Sequence, residues 1–222
     1  MGLTNMFITA GIMNIFQYFL NWNVILVIIA GCSIISFTVF IERLIHLKKA
    51  EGDTDKLIIE LRKSIQEGNI IEAVTYCEQN PGTVANVIKA GLLKHSKTKE
   101  EIESAMEVSG LLEIAKLERN AKSLSIIAHI APLIGLLGTV LGFIRAFAEM
   151  RQAGLMDISA TNIGEAMEFA LVTTAAGLVV AIPTVIAYNY IVSRIQGFVL
   201  EMQTTTPEIV DLLIHPQDSY DI

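Results

Sequence analysis

Three stretches of the 222-residue chain contain no Asp, Glu, Lys or Arg: 22–41, 123–144 and 169–193. Each matches or exceeds the ~20 residues that an α-helix needs to cross the hydrocarbon core of a bilayer. No period-two strand pattern and no internal repeat runs through them, so each reads as a helix whose backbone bonds close within itself. Composition agrees: 52% of residues are hydrophobic and 18% charged, against roughly 25% charged in an ordinary soluble domain. Mean hydropathy is +0.53. The fold class is therefore an all-α integral membrane protein, with three transmembrane helices and long cytoplasmic helical extensions.

Charge placement orients it. Thirteen of the sixteen Lys and Arg lie between Glu42 and Lys122, and residues 1–41 have none. The positive-inside rule puts 42–122 in the cytoplasm and the N-terminus outside. The expected layout is an outside segment 1–21, span 22–41, a cytoplasmic helical domain 42–122, span 123–147, an outside loop 148–168, span 169–193 and a cytoplasmic tail 194–222. Segment 1–21 reads as an interfacial helix with Tyr18 and Trp22 at headgroup level; an extension of the first span is the alternative. With no positive n-region, a cleaved signal peptide is not expected.

Within 42–122, Thr54 reads as the cap of a helix through Ile65, ended by Gly68. Asn69 reads as the cap of a second through Glu78, and the "NPG" at 80–82 breaks it. A third covers Val84 to His95. Thr98 and Glu101 have the capping-box spacing, and from there an uninterrupted helix is expected to run into the second span as far as Phe147.

Gly in a helix interior costs ~1 kcal/mol against Ala, yet "IAPLIGLLGTVLGF" spends Gly135, Gly138 and Gly142 in the second span. Between helices in lipid, small residues permit close backbone approach. Ala131, Gly135, Gly138 and Gly142 fall along one face, and Ala170, Thr174, Gly177 and Ala181 along one face of the third span. Pro132 and Pro183 each remove a backbone donor and bend their helices. Thr139, Thr173 and Thr174 accompany these faces. Each hydroxyl either bonds the carbonyl three or four residues back or lines a narrow polar interior.

Other chemistry is thin. Cys32 and Cys77 suggest neither a disulfide framework nor a metal site; the net charge of -7 says little because it mixes compartments, and a basic nucleic-acid surface is not indicated. His129, within the second span, is the one titratable intramembrane candidate; it reads as a proton relay or as a neutral ring bonded locally. With no GxSxG-type motif beside it, an intramembrane enzyme is not expected, and neither is a cofactor or a metal. Arg145 and Glu149 read as an i, i+4 pair closing the second span, and Cys32 as a small apolar filler.

"APLIGLLGTVLGFIRAF" and "ALVTTAAGLVVAIPTVIAYNY" resemble the ExbB, TolQ and MotA family of ion-driven motor subunits. Three spans and "EGNIIEAVTYCEQNPGTVANVIKAGL" resemble the ExbB/TolQ branch. The resemblance implies a homopentameric ring in the bacterial inner membrane. Around its axis it would hold a dimer of a single-span partner like ExbD or TolR, which carries the ion-binding Asp. Flow of H⁺ or Na⁺ would then drive mechanical work on a periplasmic or outer-membrane load, through a protein like TonB or TolA. Thr139 and Thr174 would be pore-facing hydroxyls, with Thr173 beside them. Many relatives read "EALVTTAAGL" where this chain has Phe169; Glu165, one turn earlier, is the expected substitute, and Glu168 the lesser one. A membrane scaffold without an ion path is the competing reading.

Overall fold

The computed structural model describes residues 22–52, 54–153 and 160–215. Among these residues all regular structure is helical: α1 (Trp22–Ala50), α2 (Thr54–Gln66), α3 (Ile70–Gln79), α4 (Thr83–Leu92), α5 (Lys99–Glu118), α6 (Ala121–Ala153) and α7 (Ala160–Ile214). Three helices are long and apolar enough to cross a membrane, over Val24–Ala50, Ala121–Arg151 and Ile163–Ile214. The expected interfacial helix over 1–21, with Tyr18 and the Trp22 side chain, lies outside what is described. The chain divides into two compact units: the chain up to Phe40 with Ser123–Tyr188, and Ile41–Lys122 with Asn189–Ile222.

In the second unit, α2 buries Leu57, Leu61 and Ile65 at four-residue spacing, which is one helical face. Gly68 follows at φ +72, a conformation open to Gly at no steric cost. Asn69 caps α3, its side chain accepting the Glu72 N–H at 3.3 Å. The Thr98–Glu101 box is closed from both sides, each bond 3.3 Å long. Leu61, Ile88, Leu92, Ile102 and Met106 meet in one apolar core.

Two expectations are corrected here. The helix starting at Thr98 does not run unbroken into the second span. It stops at Glu118, and Asn120 turns the chain at φ 51. Asn tolerates this left-handed conformation because its short side chain finds a polar partner; here the Asn120 amide donates to both Glu42 carboxylate oxygens, at 3.1 and 3.3 Å. Nor is 194–214 a tail. It is the continuation of α7, and Met202, Ile209, Val210 and Leu212 join the same core as Leu61 and Leu92.

In the first unit, Ile25 and Ile29 of α1 pack with Leu141 of α6 and Phe169 of α7. Around them the surface is apolar: Phe37 is 68% exposed, Leu171 68% and Val179 70%. Exposed apolar surface on this scale requires a lipid or protein covering.

Candidate functional site

The site is built on the contact between α6 and α7, which run antiparallel. A Cβ added to Gly135 would lie 2.9 Å from the Thr173 carbonyl oxygen, and one on Gly177 only 2.7 Å from the Ala131 carbonyl oxygen. A Cβ on Gly142 would lie 2.7 Å from the Ala170 Cβ, and one on Gly138 2.6 Å from the Thr173 Cβ. The four glycines are thus consumed where two backbones touch within one chain. They do not form an open surface for another helix to slide along.

Thr173, with no exposed surface, is sealed in this seam and donates to the Phe169 and Ala170 carbonyls at 3.1 and 2.9 Å. Thr174 is half-buried and spends its proton across the seam, on the Gly135 carbonyl at 3.1 Å. Thr139, also half-buried, donates to the Leu136 carbonyl of its own helix at 2.6 Å.

Helical periodicity locates these groups around the seam. At about 100° per residue, Thr139 on α6 and Thr174 on α7 each stand about 70° from the line of contact. Because the helices are antiparallel, both turn to the same side of it. Leu141 and Phe169 turn to the other side, where Ile25 and Ile29 of α1 cover them. The Thr139–Thr174 flank carries exposed Leu136, Phe143, Leu171 and Leu178, and no helix among the described residues of this unit packs over it.

Glu165 does not share that flank. It precedes Thr174 by nine residues, about half a revolution on the helix, and it is exposed. Phe169, at the position where many relatives have Glu, is 5% exposed. Glu168 is exposed and about 120° from Thr174. The geometry brings Thr139 and Thr174 to one face and leaves Glu165 on the opposite side of α7. His129 is exposed, with Nδ1 2.6 Å from the Ser125 carbonyl oxygen; a carbonyl only accepts, so Nδ1 carries the proton. Helices α6 and α7 continue through Pro132 and Pro183.

One polar pair has no counterpart in the sequence reading. Ser36 of α1 and Thr184 of α7, 6% and 3% exposed, stand oxygen to oxygen at 2.7 Å. Thr184 donates to the Val180 carbonyl at 2.7 Å, so Ser36 is the donor between them. This bond fixes α1 to α7. Its only sequence signal is two hydroxyls in apolar runs, 148 residues apart.

Residues 79–204, more than half of the chain, match the family described as the MotA/TolQ/ExbB proton channel family. The chain is 30% identical over 182 residues to an ExbB homolog of biopolymer transport from Methanothermobacter thermautotrophicus, covering 82% of this chain and 64% of the relative. It is 28% identical over 198 residues to an ExbB-like biopolymer transport protein of Synechocystis, covering 88% and 94%. It is 45% identical over 78 residues to the biopolymer transport protein ExbB of Helicobacter pylori, covering 35% and 52%. The chain thus spans less than two thirds of the first relative and about half of the last.

Proposed function

We propose that this chain, which belongs to the MotA/TolQ/ExbB proton channel family, is the stator subunit of an inner-membrane motor of the ExbB type. On this proposal several copies, five by family resemblance, ring a pair of single membrane helices from a partner like ExbD. The partner's buried carboxyl carries H⁺ or Na⁺ past the ring. The load is a periplasm-spanning protein like TonB, with a TolA-type load as the alternative within the branch. The N-terminus would lie outside and the C-terminus in the cytoplasm.

The observation that carries the reading is the shared flank of Thr139 and Thr174. It is apolar, uncovered within its unit and dotted with two hydroxyls, while the opposite flank is taken by α1. Both hydroxyl protons are committed to carbonyls, so each oxygen presents acceptor lone pairs. Acceptors suit a protonated carboxyl or a cation. Glu165, turned away from this flank, is not part of the proposed path, and neither is the sealed Thr173.

The test is Thr139→Val, alone and with Thr174→Val, in the chain co-expressed with its partner. Thr139 bonds only its own helix, so its loss leaves the seam intact. Leaving a buried carboxyl short of an acceptor costs ~1–3 kcal/mol, which slows ion-driven transport between about five-fold and a hundred-fold. Proton uptake into liposomes carrying the complex reads this out. Wild-type uptake by both variants would support the scaffold reading instead, as would a chain that never co-purifies with a single-span partner.

A further inference from the structure

The second unit carries an open groove of about 310 Å³ between α4, α5 and α7. Met106 and Met202, 1% and 5% exposed, form its floor, with Val87 and Val199 beside them. Gly110 keeps that floor low: a Cβ added there would meet only the Met202 Sδ and a Val87 methyl, both at 3.9 Å. Leu111, on the rim, is 61% exposed. Methionine side chains adapt to what lies on them, so a floor built from two of them suits an apolar segment laid along it.

The charge of the groove is as distinctive as its shape. Thirteen of the sixteen Lys and Arg lie between Glu42 and Lys122, yet none lines this groove, whose charged wall is Glu107. Glu107 is exposed, and its carboxylate takes no hydrogen bond or ion pair among the described residues. On α5, Glu100, Glu103, Glu107, Leu111 and Ile114 recur at three- and four-residue spacing, which is one helical stripe. Its first half is acidic and its second half apolar. Glu100 is as free of partners as Glu107, and Glu103 only approaches Lys99, at 3.9 Å. An apolar floor under an acidic rim is complementary to a helix that is apolar on one face and basic on the other. The same rim repels an anionic lipid or a nucleic acid.

We infer that this groove docks a basic amphipathic segment, the cytoplasmic end of the single-span partner. The inference rests on the stator proposal for the partner itself. A single-span protein that works on a periplasmic load has its working domain outside and its other end in the cytoplasm. The positive-inside rule enriches that end in Lys and Arg. On the proposed orientation the stretch 42–122 lies in the same compartment. Lys or Arg of the segment would meet Glu103 and Glu107, and its apolar side chains would lie on Met106, Met202 and Leu111. The partner thereby gains a second attachment, apart from the Thr139–Thr174 flank.

The test uses the full chain co-expressed with its partner, with a photoreactive phenylalanine analogue in place of Gln203, which is exposed on the groove wall. Mass spectrometry then identifies what is crosslinked. The expected product joins Gln203 to the cytoplasmic end of the partner. Glu107→Lys reverses the rim at an exposed site and should lower the yield several-fold, with Glu107→Gln between it and wild type. Gly110→Leu fills the groove from its floor and should remove the product; Gly110→Ala, whose Cβ makes only ordinary contacts, should leave most of it. In each variant the partner should still co-purify through its span. A crosslink to another copy of this chain, or a yield indifferent to Glu107→Lys and Gly110→Leu, overturns the inference. So does a partner that co-purifies without any crosslink at Gln203, a result that leaves the stator proposal standing. A chain that never co-purifies with a single-span partner removes both.

Discussion

Replacing glycines one at a time by Ala separates those that hold α6 against α7 from those that merely occur in helices. Every such change in a helix interior removes an intrinsic penalty of ~1 kcal/mol. Gly197 in α7 has nothing within 4 Å of an added Cβ, so Gly197→Ala should stabilise the chain by ~0.5–1 kcal/mol. At Gly177 the new Cβ would stand 2.7 Å from the Ala131 carbonyl oxygen and 3.2 Å from the Gly135 Cα. Both are backbone atoms of α6, and ordinary contact begins at 3.4 Å. The helices must therefore separate by about half an ångström or more. Overpacking of this kind costs ~1–3 kcal/mol, and separation also stretches the 3.1 Å Thr174–Gly135 bond, worth ~1 kcal/mol. Gly177→Ala should end ~2–4 kcal/mol below Gly197→Ala. Gly142→Ala, with Ala170 Cβ at 2.7 Å and the Ala166 carbonyl at 2.9 Å, should follow it. Unfolding of the full chain in mixed micelles by SDS titration, read by helical circular dichroism, measures the gap. If Gly177→Ala and Gly142→Ala are as stable as Gly197→Ala, the close seam on which the shared flank of Thr139 and Thr174 depends is not there.

Other expectations concern the second unit. Thr98→Ala removes the capping box at α5 and should cost ~1 kcal/mol in the same titration, whereas Thr98→Ser should be nearly neutral. Cys77 is 2% exposed, and burial pushes its thiol up to about 11. Its thiolate fraction at neutral pH should be about 100-fold below that of an ordinary thiol, so labelling by a thiol reagent should be far slower than at a free thiol. Because the folded value lies above the unfolded 9.0, the corresponding stability is complete below pH 9 and is lost as pH rises through 11. Cys77→Ala should flatten that part of the stability profile.

The spans were legible because the absence of charge over some twenty residues has few physical meanings. The glycine face was legible for the same reason, since residues that cost helix stability must be compensated by contact. What failed to show was information carried between distant positions. The break at Asn120 has no Gly or Pro to announce it, and its stabilising partner, Glu42, lies 78 residues away. Phe198, Met202, Ile209 and Leu212 recur at helical spacing along one stripe of α7, a signal that is present in the sequence; it reads as a tail only if the charge at Arg194 is taken as the end of the element. Arg43, which looks like an ordinary charge just past the first span, is 3% exposed and rests on Glu42 at 2.8 Å. The opposition of Glu165 and Thr174 was available from spacing alone, because nine residues make about two and a half turns. It acquires meaning only when α1 is seen to cover the Phe169 side.

The chemistry of the Thr139–Thr174 flank bears on how an ion-coupled stroke would be balanced. The stretches 123–144 and 169–193 contribute no Asp, Glu, Lys or Arg, so on the proposed reading the charge is brought by the partner. While both hydroxyls donate to carbonyls, the flank favours the partner's carboxyl in its protonated form. To meet a carboxylate, each hydroxyl must leave the Leu136 or Gly135 carbonyl and turn outward. Each bond given up is worth ~0.5–1.5 kcal/mol, so turning both costs ~1–3 kcal/mol. One elementary charge crossing 100 mV gains ~2.3 kcal/mol. The two quantities are of the same size, which keeps the protonated and ionised states close enough in free energy for a membrane potential to drive the carboxyl from one to the other. A fixed Glu on this flank would upset that balance, because a second carboxylate beside the first raises the cost of ionising either. The apolar residues and two rotatable hydroxyls on this flank suit a surface over which a protonatable group passes without being trapped.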